Sequence, residues 1–335
     1  MELEMSLITQ SYSDLISEDF RFEHPQWGGV FVRNKRPNNV EQFSSSRVVV
    51  LQHGATYGST AFDMPVSGLS FMDYLASQGF DAYCLDLPGY GNSDRPPQMS
   101  EPPDKNPPFM QTLDAADCLG FVCDQVRERR GIDRLCLIGW SWGTAITSYY
   151  TAGHNDLVER LSLYAPVWDR TQSGPSPIHV EGKIGAYSLI TREATLARRR
   201  AGLTEKQKLS VMPQEWFDQW WDATVASDRN GLGKNIRAPN GVVQDGIEYW
   251  NVGKAIYNPA EIEVPVLVVV GELDNDTPPY MAQTVFPLFT KAPWKRLSIL
   301  SEGTHAIMME SNRILLFRTI IQFLEEAPPG PTVFS

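Results

Sequence analysis

The sequence is poor in cysteine, has fewer basic than acidic residues, and contains no long hydrophobic run. Four cysteines in 335 residues are too few for a disulfide scaffold, so we expect four reduced, mostly buried thiols. Lys and Arg total 29 against 40 Asp and Glu, which gives a formal net charge of -11. This charge repels phosphate backbones and anionic lipid surfaces, so neither nucleic acid nor a membrane is an expected partner.

The hydrophobic runs are also short. The longest, residues 48–51 and 264–270, fall far below the roughly 20 residues that span a bilayer. The acidic start, Met1-Glu2-Leu3-Glu4, is followed by no apolar stretch that could form the core of a signal peptide. We therefore expect a cytoplasmic globular protein, with its oligomeric state left open.

Strand-like and helical patterns alternate along the chain. Continuous apolar strands, as seen here, are typical of a parallel sheet covered on both faces. The predicted strands span residues 48–52, 82–85, 135–138, 161–164, 266–270 and 297–300. The predicted helices span residues 111–129, 143–152 and 312–325, the last with Ser311 as its N-cap. The pattern predicts an α/β fold with a mostly parallel, doubly wound sheet, whose ligands bind at the carboxyl ends of the strands.

One stretch breaks this alternation. Residues 170–254 show no convincing core strand, several helical patterns and four of the nine tryptophans. We interpret this stretch as a helical insertion between two strands. The core would then consist of residues 1–169 and 255–335.

The strongest local signal is the motif Gly139-Trp140-Ser141-Trp142-Gly143, which lies between a predicted strand and a predicted helix. A serine hydroxyl is a poor nucleophile unless it is exposed, oriented and given a base. A sharp strand-to-helix turn exposes it, and the start of the helix supplies free N–H groups where an oxyanion would form. Because the strand and the helix flank the pattern, we predict that Ser141 is a nucleophile.

A base and an orienting acid are expected later in the chain, in the order Ser, Asp, His. Asp274 follows the predicted strand 266–270, and His305 follows the strand 297–300. Both would lie at the same edge of the sheet as Ser141. We predict a relay in which His305 takes the serine proton and Asp274 fixes the tautomer of the imidazole. Asp169 is the substitute acid, and a metal site at residues 272–276 is the less favoured interpretation of the acidic segment.

The segment His53-Gly54-Ala55-Thr56-Tyr57 closes the strand 48–52. The backbone N–H groups of Ala55 and Trp142 are the predicted donors of an oxyanion hole. His53 is expected to brace this loop. Tyr57 either adds a hydroxyl donor to the substrate site or packs as a rim aromatic.

These motifs resemble those of the α/β-hydrolase superfamily in type and in order along the chain. The resemblance includes the segment Asp86-Leu87-Pro88-Gly89-Tyr90-Gly91, which lies between the His53 motif and the Ser141 motif. The resemblance runs from about residue 48 to the C-terminal helix. It implies an eight-stranded, mostly parallel sheet with a helical cap after the sixth strand, where residues 170–254 fall. It also implies that Asp86 and its glycines are structural.

Departures from similar enzymes disfavour two reactions: one through an alkyl-enzyme ester on an aspartate, and peptide cleavage. Haloalkane dehalogenases and epoxide hydrolases of the superfamily carry an aspartate where this chain has Ser141. Prolyl aminopeptidases share a Ser-Trp-Gly sequence like that of residues 141–143, but residues 55–57 lack their Gly- and Pro-rich loop. C–C bond hydrolases with a similar triad stay open as an alternative.

The insertion gives the remaining specificity signal. Trp216, Phe217, Trp220 and Trp221 share one helical face that either docks the cap or, with Trp140, Trp142 and Trp168, lines an apolar acyl pocket. The predicted substrate-binding residues are Tyr57, Trp140, Trp168, Trp216 and Trp220. The run Arg198-Arg199-Arg200 is interpreted as a solvated helix face, with attraction of an anionic substrate as the alternative.

Together these features predict a serine hydrolase that needs no cofactor or metal. We expect a carboxylesterase that cleaves a small to medium, rather apolar ester or lactone through an acyl-enzyme on Ser141. An amidase or aminopeptidase, or a C–C bond hydrolase, with the same triad is the alternative enzyme. A ligand-sensing binding protein is the alternative outside catalysis.

Overall fold

The computed structural model describes residues 14–172, 183–228 and 233–327. Within these residues, the strands are β1 (Leu15–His24), β2 (Gly28–Pro37), β3 (Val48–Gln52), β4 (Asp81–Leu85), β5 (Leu135–Trp140), β6 (Val158–Tyr164), β7 (Tyr187–Ile190), β8 (Ile236–Pro239), β9 (Val266–Gly271) and β10 (Lys295–Leu300). The α-helices are α1 (Thr60–Asp63), α2 (Phe71–Ser77), α3 (Thr112–Arg130), α4 (Trp142–Gly153), α5 (Arg192–Arg200), α6 (Glu205–Val211), α7 (Gln214–Ser227), α8 (Gly241–Glu248), α9 (Pro279–Val285) and α10 (Arg313–Glu325).

Eight strands form one sheet in the order β1-β2-β4-β3-β5-β6-β9-β10. The pairs β1–β2 and β2–β4 are antiparallel, and the other neighbours in the sheet are parallel. This confirms the predicted mostly parallel α/β sheet. All six predicted strands are present, and the hairpin β1–β2 is an addition that the sequence analysis missed.

Helices cover both faces of this sheet. Val48 and Val50 of β3 belong to the apolar core under α3, α4, α8 and α9. Val49 and Leu51 belong to the core under α1, α2, α7 and α10. Because successive strand residues point to opposite faces, each central strand contributes to both cores, and its sequence is apolar without alternation.

The chain between β6 and β9 adds no described strand to the central sheet. It contains α5 to α8 and a small antiparallel pair, β7–β8, which the prediction of a purely helical insertion did not include. Its described residues contact the loop before α3. Ala186 N–H donates to the carbonyl of Pro103 at 2.9 Å, and Arg237 donates to the carbonyl of Met99 at 2.8 Å.

The predicted helix boundaries hold to within a residue or so, but one cap was wrong. Asn312, and not Ser311, occupies the N-cap position of α10. The Ser311 hydroxyl instead donates to the backbone carbonyls of Ser210 and Val211, so it ties α10 to the end of α6. All four cysteines are buried and free.

No α-helix of the described residues combines the length and the apolar character that crossing a membrane would require.

Candidate active site

Ser141 lies at the turn between the last residue of β5 and the first residue of α4. Its φ of 56° and ψ of -123° place it in a conformation that non-glycine residues rarely adopt. The neighbouring chain holds it there, because the N–H of Ser141 donates to the carbonyl of Tyr164 at the end of β6 (2.9 Å). Strained serines at such turns are typical of nucleophiles.

Two glycines let the backbone close around this turn. A Cβ on Gly143 would lie 2.4 Å from the carbonyl oxygen of Gln52 and 2.7 Å from that of His53. A Cβ on Gly54 would lie 2.8 Å from the Cβ of Ser141. The loop after β3 therefore packs directly against the serine, and no larger residue fits at either position.

This loop carries one predicted oxyanion donor, the N–H of Ala55. The other, the N–H of Trp142, is the first of α4 and has no partner four residues earlier in its helix. His53 braces the loop as expected: its Nδ1 lies 2.7 Å from the carbonyl of Gly54, and its Nε2 accepts the N–H of Leu87 at 3.1 Å. Burial lowers the pKa of His53, which agrees with a neutral ring that both donates and accepts.

The structure brings Asp274 and His305 together. Nδ1 of His305 lies 2.8 Å from Oδ2 of Asp274, and both residues are at least 95% buried (5% and 2% exposed). Asp274 lies just beyond β9 and His305 just beyond β10, two parallel neighbours whose paired residues end with Gly271 opposite Leu300. Both residues therefore lie at the edge of the sheet that is formed by the carboxyl ends of β9 and β10.

The carboxylate of Asp274 is held by three further donors. Its Oδ1 accepts the N–H groups of Asp276 (2.9 Å) and Thr277 (2.8 Å), and its Oδ2 also accepts the Thr277 hydroxyl (2.9 Å). One oxygen thus faces the backbone turn, and the other faces the imidazole. The orientation of the acid is fixed before any substrate binds.

His305 is also tied to the residues next to Ser141. Its carbonyl accepts the Trp140 indole N–H at 2.9 Å and the Tyr164 hydroxyl at 2.8 Å. The rings of Trp140 and His305 have centroids 5.6 Å apart. Among the hydrogen bonds of the described residues, however, none joins the Ser141 hydroxyl to His305. The structure thus brings Asp274 and His305 together and places the turn of Ser141 beside them, without a hydrogen bond between His305 and the Ser141 hydroxyl.

A second carboxylate, to which the sequence analysis gave no role in the relay, lies near His305. Oδ2 of Asp276 is 3.9 Å from Nε2 of His305 and 2.8 Å from a guanidinium nitrogen of Arg198. Burial by itself would raise the pKa of Asp276, but the charges of Arg198 and His305 and the hydrogen bond from Arg198 hold it well below its ordinary value. Arg198 is thus paired with Asp276 and is not part of a solvated helix face.

Glu310 holds the residue that precedes His305. It is 1% exposed, and its carboxyl accepts the N–H of Thr304 at 3.0 Å and the Thr304 hydroxyl. Burial raises the pKa of Glu310 to about 7, although these hydrogen bonds oppose the shift. Nothing in the sequence pattern indicated this buried acid.

The predicted aromatic residues divide into two groups. Tyr57, Trp140 and Trp220 gather around Arg199, whose guanidinium carbon lies 5.4–5.6 Å from each ring centroid. The Tyr57 hydroxyl donates to Thr195 at 2.9 Å, which favours a packed aromatic over an oxyanion donor.

Trp216 and Trp168 lie apart from this group. Trp216 stacks under the guanidinium of Arg313 (4.9 Å). Trp168 packs edge-on against Tyr257 (centroids 5.4 Å apart) and lines a cavity of about 1370 Å³ beside α3 and α4. That cavity includes none of the three predicted catalytic residues.

A second, much smaller cavity of about 10 Å³ lies at His305. Its lining includes His305, Thr304 and Asp276 from the core, together with Arg198 and Arg199 from α5. A space of this size holds about one water molecule. Ser141 is not among its lining residues. Within the described part of the chain, no three or more His, Cys, Asp or Glu side chains are grouped to hold a metal ion.

The family model described as the alpha/beta hydrolase fold matches residues 47–311, most of the chain. The chain belongs to the α/β-hydrolase fold family. Membership of this family supports a hydrolase activity. The comparison with curated proteins finds no match.

Several solved α/β-hydrolase structures resemble the chain. An esterase from Exiguobacterium antarcticum is 17% identical (TM-score 0.59), with 92% of this chain and 100% of that chain covered. A membrane phospholipase A described as a bacterial virulence factor is 18% identical (TM-score 0.61; 97% and 91% covered). A serine hydrolase involved in carbazole degradation is 17% identical (TM-score 0.58; 92% and 99% covered). At these identities the likeness shows the fold alone.

Proposed function

We propose that this α/β hydrolase is a serine hydrolase, and more narrowly a carboxylesterase that cleaves a small to medium-sized ester or lactone through an acyl-enzyme on Ser141. The observation that carries the proposal is the buried pair of Asp274 and His305, 2.8 Å apart, at the sheet edge where Ser141 stands at positive φ. A neutral imidazole whose Nδ1–H is held by a carboxylate has its Nε2 free to accept a proton.

In the proposed reaction, Ser141 attacks the carbonyl carbon while His305 Nε2 takes the hydroxyl proton. This step requires Oγ and Nε2 to come within about 2.6–3.2 Å, a contact that often forms only when substrate is bound. Asp274 stabilises the imidazolium through the bond to Nδ1. The developing oxyanion accepts hydrogen bonds from the backbone N–H groups of Ala55 and Trp142.

Collapse of the tetrahedral intermediate breaks the ester bond, and the imidazolium of His305 protonates the leaving alcohol. A water molecule then gives its proton to His305 and attacks the acyl carbon, and the acid and Ser141 are released. Each proton removed in one half-reaction is returned in the same half-reaction. The steps use Ser141, His305, Asp274, the two backbone N–H groups and one water molecule.

We also propose that residues 170–254 act as a cap over the core. What supports this is α5, which places Arg198 and Arg199 at the cavity beside His305. In this position α5 would contact a substrate held beside His305.

The proposal is tested by active-site labelling and turnover. A fluorophosphonate probe should label Ser141, and p-nitrophenyl esters should be hydrolysed. Ser141→Ala and His305→Ala should abolish both, while Ser162→Ala, whose buried hydroxyl has no hydrogen-bond partner in the described structure, should keep both. Turnover that survives in Ser141→Ala would refute the assignment. If Ser141 is labelled but no ester, lactone, amide or substrate of C–C bond hydrolases is turned over, the ligand-sensing alternative is favoured.

A further inference from the structure

Arg199 is a buried arginine that faces the candidate active site. It lies near the end of α5, is 8% exposed, and shares the small cavity with His305. A charged side chain is costly to bury unless ion pairs and hydrogen bonds compensate for the lost water. The partners of its guanidinium therefore decide what it does there.

Within the described structure, this guanidinium has no polar partner. Neither Nε nor Nη1 of Arg199 donates a hydrogen bond, although both are inaccessible to water. The rings of Tyr57, Trp140 and Trp220 surround it at 5.4–5.6 Å. Aromatic faces attract a cation, but they do not accept the directed N–H bonds of a guanidinium as an oxygen does.

The nearby acids do not supply the missing partner, because each is bound elsewhere. Asp276 is paired with Arg198, the residue before Arg199. Glu310 accepts both bonds from Thr304, and its raised pKa leaves it about half protonated near neutral pH. The charge of Arg199 thus acts on Asp276 and Glu310 through space, but its guanidinium contacts neither carboxylate, whereas its neighbour Arg198 contacts Asp276.

We propose that Arg199 binds a carboxylate of the substrate, so that the ester cleaved at Ser141 carries a negative charge on its acyl or alcohol part. This inference rests on the proposed esterase function and sharpens it. A planar carboxylate matches the donor geometry of a guanidinium better than any neutral group does. The aromatic rings around Arg199 would contact the apolar body of the same substrate. The expected substrate is therefore an apolar chain with an anionic end.

The position of Arg199 also fits a role in substrate binding. Arg199 and His305 line the same small cavity, so a substrate bound at Arg199 would lie beside His305. Its carboxylate would then take the place at Nε and Nη1 that no group of the described chain fills. A neutral ester of the same length would have to leave these N–H groups unpaired, which disfavours its binding.

The experiment compares matched esters in matched variants. Mono-p-nitrophenyl esters of dicarboxylic acids from succinate to adipate are assayed beside neutral p-nitrophenyl esters of the same chain length, with uncatalysed hydrolysis subtracted. The variants are Arg199→Met, which removes the charge, Arg199→Lys, which keeps it with fewer donors, and the control Arg200→Met. Arg200 follows Arg199 on α5 but already has a partner, Gln214 Oε1, at 2.8 Å.

We expect the native protein to prefer an anionic ester. The ratio of kcat/KM for the anionic ester to that for the neutral ester should fall about 10- to 100-fold in Arg199→Met, as for loss of a charge-assisted hydrogen bond. It should fall less in Arg199→Lys and stay unchanged in Arg200→Met. An unchanged ratio in Arg199→Met, or an equal loss on both esters, would overturn the proposal. If Arg199→Met does not fold, Arg199→Lys carries the test through the same ratio.

A binding measurement distinguishes failure of the esterase proposal from failure of the anion site at Arg199. Calorimetric titration of adipate and of hexanamide into Ser141→Ala reports the anion site without turnover. If the native protein hydrolyses no ester, yet adipate binds and Arg199→Met abolishes that binding, the anion site stands and the esterase proposal falls. If neither binding nor an anionic preference is found, the anion site itself is refuted.

Discussion

Replacing Asp274 by asparagine should inactivate the protein while leaving its fold in place. The hydrogen bonds of the Asp274 carboxylate explain why. Oδ1 of Asp274 accepts two backbone N–H groups, those of Asp276 and Thr277. In the asparagine variant only the amide oxygen can keep those two bonds. The amide NH₂ must then occupy the position of Oδ2, where it faces Nδ1 of His305, 2.8 Å away in the native protein.

This orientation reverses the histidine tautomer. An NH₂ group donates, so Nδ1 of His305 must accept, and the ring proton moves to Nε2. An imidazole protonated at Nε2 cannot take the proton of Ser141. Loss of the correct tautomer lowers kcat about 10⁴-fold in serine proteases with the same relay. That factor corresponds to about 5 kcal/mol of transition-state stabilisation.

The assay is the pH dependence of kcat/KM for a p-nitrophenyl ester, with thermal melting to confirm folding. The control is Asp169→Asn, the acid that the sequence offered as a substitute. Asp169 accepts the N–H of Thr171 at 2.8 Å and makes no ion pair within the described structure, so its replacement should change kcat/KM by less than about threefold.

A second arm tests the other nearby carboxylate, Asp276. It lies 3.9 Å from Nε2 and is paired with Arg198, so Asp276→Asn should alter the position of α5 and the affinity for substrate more than the proton transfer. A loss below about tenfold in Asp274→Asn, or a larger loss in Asp276→Asn, would refute the assignment of Asp274 as the acid of the relay.

Three further predictions concern stability. Because the pKa of Glu310 rises from 4.5 in the unfolded chain to about 7 in the fold, the fold binds the extra proton, and its stability should fall by about 3 kcal/mol as pH rises from about 4.5 to above 7. Glu310→Gln should remove this fall in urea titrations, and the exposed Glu302→Gln should not. Gly143→Ala should cost at least about 3 kcal/mol in the same titrations, since its Cβ would lie 2.4 Å from a backbone oxygen. Asp245→Ala should cost about 1–3 kcal/mol, since it leaves the N–H and hydroxyl of Thr112 without the acceptor found at 2.8 and 2.7 Å.

Each of these has a contrary outcome. An equal pH slope in native protein and Glu310→Gln would show that Glu310 titrates normally in the fold. A Gly143→Ala variant that melts within about 2 °C of the native protein would show that the loop after β3 can retreat from the serine turn. An unchanged stability in Asp245→Ala would show that water replaces its carboxylate.

Much of the site was predictable because it depends on local rules. A strand, a tight turn and a helix encode the position of Ser141 within a few residues. The acid and the base each follow an apolar strand directly, so a parallel sheet delivers Asp274 and His305 to one edge whatever the rest of the chain does. The motifs also carried the family resemblance, and the family match confirms it.

Other features were not readable from the pattern. The hairpin β1–β2 was missed because neither strand has the apolar run of the central strands. The edge strand β1 alternates mostly between half-buried and exposed residues, and β2 mostly between buried and half-buried residues. Glu310 looked like any acidic residue before a helix, and only its burial in the fold raises its pKa. Trp168 lies in the loop after β6, yet its ring packs against Tyr257 and does not line the small cavity.

By itself, then, the sequence determined the six parallel strands of the sheet, the serine turn, and the positions of Asp274 and His305 directly after their strands, because each of these depends on a few neighbouring residues. Only the tertiary structure decided which aromatic residues meet at the site, and that the three consecutive arginines of α5 have different surroundings. Arg198 meets Asp276, Arg200 meets Gln214, and Arg199 is buried among rings without a polar partner in the described chain. The reason is physical: side chains one residue apart on a helix point about 100° apart, and what each one meets depends on elements distant in sequence.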